Sequence, residues 1–294
     1  MNASALPAKR LPESSFPGGD ASVATFRGWQ RIALAWVLLA LIALAPVARA
    51  GSDLPLTAHA QAGQAFDGLR SLHPDQMPRL DDAQGGVVLR LLGDSKRFVD
   101  DVRYTPEDLA ALSQVCDRTR AAITAYTSFN AVQQGVPDAK VVVQNVVDYQ
   151  DELAVLQPFV ARCIARQVLL AEAMLQKLGA AQASQLRLGG LKRAQNSLLQ
   201  LYAGVASCFA DSRFGASYCA LLDTMSELAR VHARGLPLVS RAFGLRLLPQ
   251  PAQVPEGPRR EALQRIVDAL GDIRCTGLCL LGSNDGQPPG GGKS

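Results

Sequence analysis

Aromatic residues are scarce in this chain. Phenylalanine, tryptophan and tyrosine make up 5% of the 294 residues, although 48% of the chain is hydrophobic. Alanine and leucine supply much of that apolar content, and they favour helices, whereas sheets are enriched in aromatic and β-branched residues. The composition therefore argues against a β-sandwich or β-barrel. The length is sufficient for one large domain or two small ones.

An excess of charge is also missing from most of the chain. The first 50 residues contain five of the 30 basic and two of the 26 acidic residues, which leaves 25 basic and 24 acidic residues in the remainder. A nearly neutral remainder provides no electrostatic basis for binding nucleic acid. We therefore predict no nucleic-acid partner.

Motifs for cofactors and metals are absent from the sequence. Gly85 and Gly86 are not followed by the Lys-Ser/Thr pair that a phosphate-binding loop requires. His59, His73 and His232 each lack a second His or Cys three or four residues away, so no helical metal pair exists. The sequence predicts no catalytic residues, no cofactor and no metal site.

One acidic cluster consists of Asp148, Asp151 and Glu152. Pairs of carboxyl groups can act as general acid and general base. Charged residues at this spacing more often form the solvated face of an amphipathic helix, and we favour that interpretation here.

The N-terminal segment contains an apolar run. Residues 32–47 carry no charge; Arg27 and Arg31 precede them, and Ala48-Arg49-Ala50 follows. A basic flank, an apolar run and an A-x-A site predict a secretory signal peptide, cleaved here after Ala50. We therefore predict that residues 1–50 are an N-terminal extension and signal peptide, and that the protein is periplasmic or secreted. The run approaches the ~17–25 residues that span a bilayer, so an inner-membrane anchor formed by residues 32–47 is the alternative.

Six cysteines follow the apolar run. They are Cys116, Cys163, Cys208, Cys219, Cys275 and Cys279. An even number of cysteines in an exported chain predicts disulfide bonds. Cys208 and Cys219 flank a predicted break between helices, which makes them the first pair we expect.

Cys275 and Cys279 are close enough in sequence to close a local loop. Their C-x-x-x-C spacing differs from the C-x-x-C of thioredoxin-like enzymes, so a redox role is the alternative. Cys116 and Cys163 remain as the third pair. A simple hairpin centred on Gly135 would place Cys116 about nine residues short of Cys163, or about 13 Å along a helix.

The longest apolar seam runs from Val142 to Met174 in alternating steps of four and three residues. Its members are Val142, Val146, Tyr149, Leu153, Leu156, Val160, Cys163, Gln167, Leu170 and Met174. This spacing predicts one long helix that buries a stripe against other helices. Pro158 lies inside it, so we expect a kink there, with two helices meeting near Gln157 as the alternative.

Three further helices are predicted around this one. Thr105-Pro106-Glu107-Asp108 is a strong helix start, and that helix should reach about Asn130. The others should cover about 184–210 and 214–233. The predicted fold is all-α: an antiparallel helical bundle of about four main helices, stapled by disulfides, over residues 105–281. Residues 51–104 form a mixed segment that packs on the bundle, and residues 282–294 form a disordered tail.

Residues 236–248 form an apolar run that Arg241 and Arg246 interrupt. Such a segment can lie on a membrane surface or dock on a partner, or it can close the core, which we favour. Membrane contact would use a set of apolar side chains: Leu236, Leu238, Val239, Phe243 and Leu245.

The sequence predicts an exported, non-enzymatic protein of the cell envelope that acts as a scaffold, adaptor or binding module for a protein partner. One alternative is a thiol redox enzyme that uses Cys275 and Cys279. Another is a membrane-anchored helical protein that contacts lipid through residues 236–248.

Overall fold

A computed structural model describes residues 56–100, 103–133, 135–178 and 190–282. The predicted signal peptide, the apolar run at 32–47 and the tail beyond Gly282 lie outside these residues. The described part of the chain is mostly helical, and its only strands are two of two residues each, β1 (Val132–Gln133) and β2 (Val136–Pro137). They pair antiparallel, with Val132 opposite Pro137.

Eleven α-helices lie within the described ranges. In chain order they are α1 (Leu56–Leu72), α2 (Gly85–Leu92), α3 (Leu109–Thr127), α4 (Ala139–Asp148), α5 (Gln150–Leu175), α6 (Gly190–Ala210), α7 (Ala216–Cys219), α8 (Leu221–Gly235), α9 (Leu238–Leu247), α10 (Pro258–Gly271) and α11 (Leu278–Gly282). A π-helix covers Lys96–Asp100, and 3₁₀ turns cover Pro106–Asp108 and Pro251–Gln253.

Helix α5 lies at the centre of the fold. It packs against α2, α3, α6, α7 and α8, and Leu153, Leu156 and Phe159 on it are fully buried. Among the described helices, only α5 is long and apolar enough to cross a membrane, but 61% of its most apolar window is buried inside the protein. A core helix has the same properties, and its packing accounts for its apolar composition.

The long seam is divided at Tyr149 rather than at Pro158. Helix α4 ends at Asp148, Tyr149 departs from helical geometry with φ −112° and ψ 24°, and α5 then runs through Pro158 to Leu175. The expected single helix over the whole seam is therefore wrong, and so is the alternative of two helices meeting near Gln157, because α5 is continuous through Pro158. Asn145 gives the reason, because its Nδ2 donates hydrogen bonds to the carbonyl oxygens of Thr127 (3.2 Å) and Phe129 (2.6 Å). These bonds tie α4 to the end of α3.

Helix α4 also explains how Cys116 on α3 reaches Cys163 on α5. Because α4 belongs to the connection between Thr127 and Gln150, the midpoint between the two long helices lies at about residue 139 rather than at Gly135. The expected shortfall of about nine residues is thereby reduced to about two. The alpha carbons of Cys116 and Cys163 are 5.8 Å apart, within the ~7 Å limit for a disulfide.

The other two pairs are also at disulfide distance. The alpha carbons are 5.6 Å apart for Cys208 and Cys219 and 5.3 Å apart for Cys275 and Cys279. All three pairs are those that the sequence favoured. Disulfides persist in oxidising compartments, so the three bonds suggest an extracytoplasmic location.

Residues 56–100 pack on α3 and α5, and a buried carboxylate helps to hold them there. Asp148 and Asp151 are exposed, as expected for a solvated face, but Glu152 is only 3% exposed. Glu152 accepts the Leu80 N–H at 3.0 Å and an Arg79 N–H at 3.3 Å. The expectation of a solvated face is therefore wrong for Glu152, which anchors the loop before α2.

The apolar run at residues 236–248, for which membrane contact was the alternative to core closure, is divided between core and surface. Leu236 is fully buried, and Leu245 packs half-buried against the core. Leu238, Val239 and Phe243 are exposed, by 41%, 82% and 51%. Helix α9 therefore closes the core with one face, as favoured, and presents a small apolar surface with the other.

Candidate functional site

A cleft of about 880 Å³ lies between α8 and α10, and the segment 272–276 after α10 also contributes to its lining. Its basic lining residues are Arg230, Arg234, Arg241, Arg265 and Arg274. Its acidic lining residues are Glu227, Asp268 and Asp272. The cleft is thus lined by five basic and three acidic residues, although the chain after residue 50 is nearly neutral.

The amphipathic patterns of α8 and α10 place these charges. Both helices bury their apolar stripes in the core, with Met225 and Ile266 fully buried. Arg230 on α8 and Arg265 on α10 are on the exposed sides of their helices. Where the helices meet, the small side chains of Ala233 and Ala269 contribute apolar surface to the cleft.

Arg241 lines the cleft and is only 3% exposed. Its Nε donates to the Leu236 carbonyl at 3.0 Å, and its Nη1 donates to the carbonyls of Asp272 (2.6 Å) and Arg274 (3.1 Å). Burial lowers the pKa of Arg241. The side chain joins the start of α9 to the segment before Cys275, so its role is mainly structural.

Two other arginines of the cleft are paired with carboxylates. Arg234 donates through Nε to both oxygens of Glu172, at 3.0 and 3.1 Å. Arg274 donates to both oxygens of Asp272, through Nε to Oδ1 and through Nη2 to Oδ2, and these bonds are the main cause that lowers the pKa of Asp272 to about 2. Much of the charge of these two arginines is therefore compensated within the protein.

Arg230 and Arg265 differ from them. Arg265 donates to the Ser226 hydroxyl at 3.3 Å, and Glu227 on the same wall pairs with Arg162 instead. Within the described ranges, neither Arg230 nor Arg265 has a carboxylate oxygen within 4.0 Å. Two guanidinium groups on two neighbouring helices can each bind a carboxylate or phosphate in bidentate geometry.

His59 lies on α1, and its side chain is fully buried. The single hydroxyl hydrogen of Thr119 is donated to the Leu92 carbonyl at 2.9 Å, so Nε2 of His59 must donate to the Thr119 oxygen at 3.1 Å. The ring stacks on Phe159. Burial lowers the pKa of His59 to about 4, which makes it a neutral structural residue.

His232 is buried on α8. Its Nε2 donates to the Ala161 carbonyl of α5 at 3.0 Å, and burial lowers its pKa to about 4. His232 lies in the last turn of α8, where a charged ring would favour the helix dipole, but this ring is neutral. Within the described ranges no group of three or more His, Cys, Asp or Glu residues is arranged to hold a metal.

The six predicted site residues, the cysteines, are brought together as three pairs, and only one pair adjoins the cleft. Cys275 lies next to the cleft residues Arg274 and Thr276, and it is half-buried while Cys279 is fully buried. Sequence reasoning missed the cleft itself. The available signal was Arg230 and Arg234, four residues apart and therefore on one side of their helix.

Comparison with protein families, with curated proteins and with solved structures finds no match to this chain.

Proposed function

We propose that this protein is an exported, non-enzymatic binding module of the cell envelope whose cleft between α8 and α10 takes an acidic segment of a protein partner. The observation that carries the proposal is the pair Arg230 and Arg265, which line the cleft from two helices and have no carboxylate partner among the described residues. Export is supported by the three disulfide pairs.

The size and lining of the cleft favour a peptide over a single small anion. A volume of about 880 Å³ is near the upper end of ordinary ligand pockets, far more than one phosphate fills. Carboxylates spaced along an extended segment would reach Arg230 and Arg265, while apolar side chains between them would contact Ala233 and Ala269.

We also propose that α3, α5, α6 and α8 form the antiparallel bundle of about four main helices that the sequence predicts. The packing of α5 against the other three supports this arrangement. In this proposal the bundle is a rigid support, and the cleft lies on one side of it.

The test is binding of a fluorescein-labelled octaglutamate peptide, measured by fluorescence anisotropy at low salt. The double variant Arg230→Gln and Arg265→Gln should bind about five- to thirtyfold more weakly, because two partly solvated ion pairs contribute together on the order of 1–2 kcal/mol. The matched control is Arg246→Gln with Arg259→Gln, which removes the same charge from exposed positions outside the cleft lining.

The control should bind as the unmodified protein does, and added salt should weaken binding in both. The proposal fails if the unmodified protein does not bind the peptide. It also fails if both double variants lose affinity equally, because net charge alone would then explain the binding.

Lipid contact through residues 236–248 is the second candidate. The exposed side chains of Leu238, Val239 and Phe243 favour it. Co-sedimentation with vesicles of three parts neutral to one part anionic lipid tests it, with Val239→Glu and Phe243→Glu combined as the variant. Binding that the variant abolishes would support this function, and absence of binding by the unmodified protein would exclude it.

A further inference from the structure

A second cavity, of about 290 Å³, lies among α3, α4, α5 and α6 and shares no lining residue with the cleft. Apolar surface predominates in its walls, which include Ile123, Val142, Val146, Val160 and Leu201. Hydroxyl and amide side chains also line it: Thr124, Thr127, Ser197, Gln200 and Ser207. The volume is at the lower end for ligand pockets. The cavity therefore suits a small, mainly apolar molecule.

The polar end of this cavity is formed by Gln157 of α5 and Tyr218 of α7. Gln157 is 6% exposed, and its Nε2 donates to the Tyr218 hydroxyl at 3.5 Å. Its Oε1 is buried with no hydrogen-bond partner among the described residues. If the amide oxygen and nitrogen were exchanged, the nitrogen would be unpaired instead. Either orientation leaves one polar atom of Gln157, a residue that lines the cavity, without a hydrogen-bond partner among the described residues.

Gly204 of α6 keeps the space over these two side chains open. A Cβ at this position would lie 3.1 Å from the Tyr218 hydroxyl and 3.6 Å from Nε2 of Gln157. Glycine inside a helix is destabilising relative to alanine, so the absence of a side chain here needs a reason. The close approach of Tyr218 is one reason, because a side chain at this position would crowd the Tyr218 hydroxyl and narrow the space beside the polar pair.

Charge argues against an anionic occupant. Arg120 is the charged residue that lines this cavity, and its guanidinium bonds the carboxylate of Asp117 at 2.8 Å. A fatty-acid carboxylate would have to compete with Asp117 for it. A neutral polar group at Gln157 has no such competitor.

We propose that this cavity is a binding site for a small apolar alcohol, with the hydrocarbon among the valine, isoleucine and leucine side chains and the hydroxyl at Gln157. A hydroxyl both donates and accepts hydrogen bonds, so it satisfies Gln157 in either orientation of the amide. The site is independent of the proposed peptide cleft.

The test is isothermal titration of the full chain with 1-hexanol. Gly204→Ala should weaken binding by at least about tenfold, because the added Cβ occupies the space over the polar pair. Gln157→Met, which keeps the length of the side chain and removes its polar atoms, should weaken binding on the order of tenfold, the loss of one hydrogen bond. The matched control is Gly68→Ala on α1, where a Cβ would meet no atom within 4 Å; it should bind as the unmodified protein does.

Circular dichroism spectra identify any variant that fails to fold. If Gly204→Ala fails to fold, the binding of 1-hexanol by Gln157→Met decides the test. The proposal is overturned if the unmodified protein shows no saturable binding of 1-hexanol, or if Gln157→Met binds it as tightly as the unmodified protein. The Arg230→Gln and Arg265→Gln variant should bind 1-hexanol normally, so failure of the peptide proposal and failure of this one are distinguishable.

Discussion

The protein should lose stability steeply as the pH falls from 6.5 towards 5, because two buried histidines must stay neutral in the folded state. Burial lowers the pKa of both His59 and His232 from 6.5 to about 4. The Leu92 backbone near His59 and the hydrogen bond from His232 to the Ala161 carbonyl raise the two pKa values and so oppose the effect of burial, and the nearby charge of Arg118 lowers the pKa of His59 further.

The direction follows from proton binding. Above pH 6.5 both histidines are neutral in the folded and unfolded chains, so they add no pH dependence. Between pH 6.5 and pH 4 the unfolded chain binds up to two more protons, and the free energy of unfolding falls by up to ~2.7 kcal/mol per pH unit. Integrated from pH 7.5 to pH 5, the loss is about 2 kcal/mol for each histidine and about 4 kcal/mol for both.

Urea unfolding followed by circular dichroism at pH 7.5 and pH 5.0 measures this loss. His232→Gln keeps an N–H donor in place of Nε2 and removes the titration, so it should reduce the loss by about half. His73→Gln is the control, because His73 is exposed, and it should leave the loss unchanged. A total loss below about 1 kcal/mol, or an equal effect of the two variants, would refute the assignment of neutral buried histidines.

Two further predictions concern the covalent and backbone constraints of the fold. Replacing both Cys116 and Cys163 by alanine should lower the free energy of unfolding by roughly 4 kcal/mol, because the bond closes a loop of 47 residues; an unchanged urea midpoint would contradict it. Gly86→Ala should destabilise the protein by several kcal/mol in the same assay, because a Cβ there would overlap the carbonyl oxygen of Leu80. Gly68→Ala, at an open exposed helix position, should instead stabilise by up to ~1 kcal/mol, and equal effects of the two glycine changes would show that the tight approach at Gly86 is not a constraint.

Local patterns in the sequence determined much of the secondary structure. The helix start at Thr105 was predictable because its signals are adjacent in the chain, and the Thr105 N–H bonds Asp108 Oδ2 at 2.8 Å. The apolar stripe of α5 was predictable because helical periodicity places its members on one side. The cysteine pairs followed from predicted helix breaks and from elimination, both of which use only distance along the chain.

Tertiary structure alone decided which polar residues are buried and where the long seam divides. The break at Tyr149 depends on Asn145 bonding the end of another helix, and the burial of Glu152 depends on a loop about 70 residues earlier. The cleft exists because α8 and α10 pack side by side, although Arg230 and Arg265 are 35 residues apart in the sequence. Periodicity predicts which face of a helix is buried, but the partner that covers that face, and therefore the charges that meet there, is set by packing between distant segments.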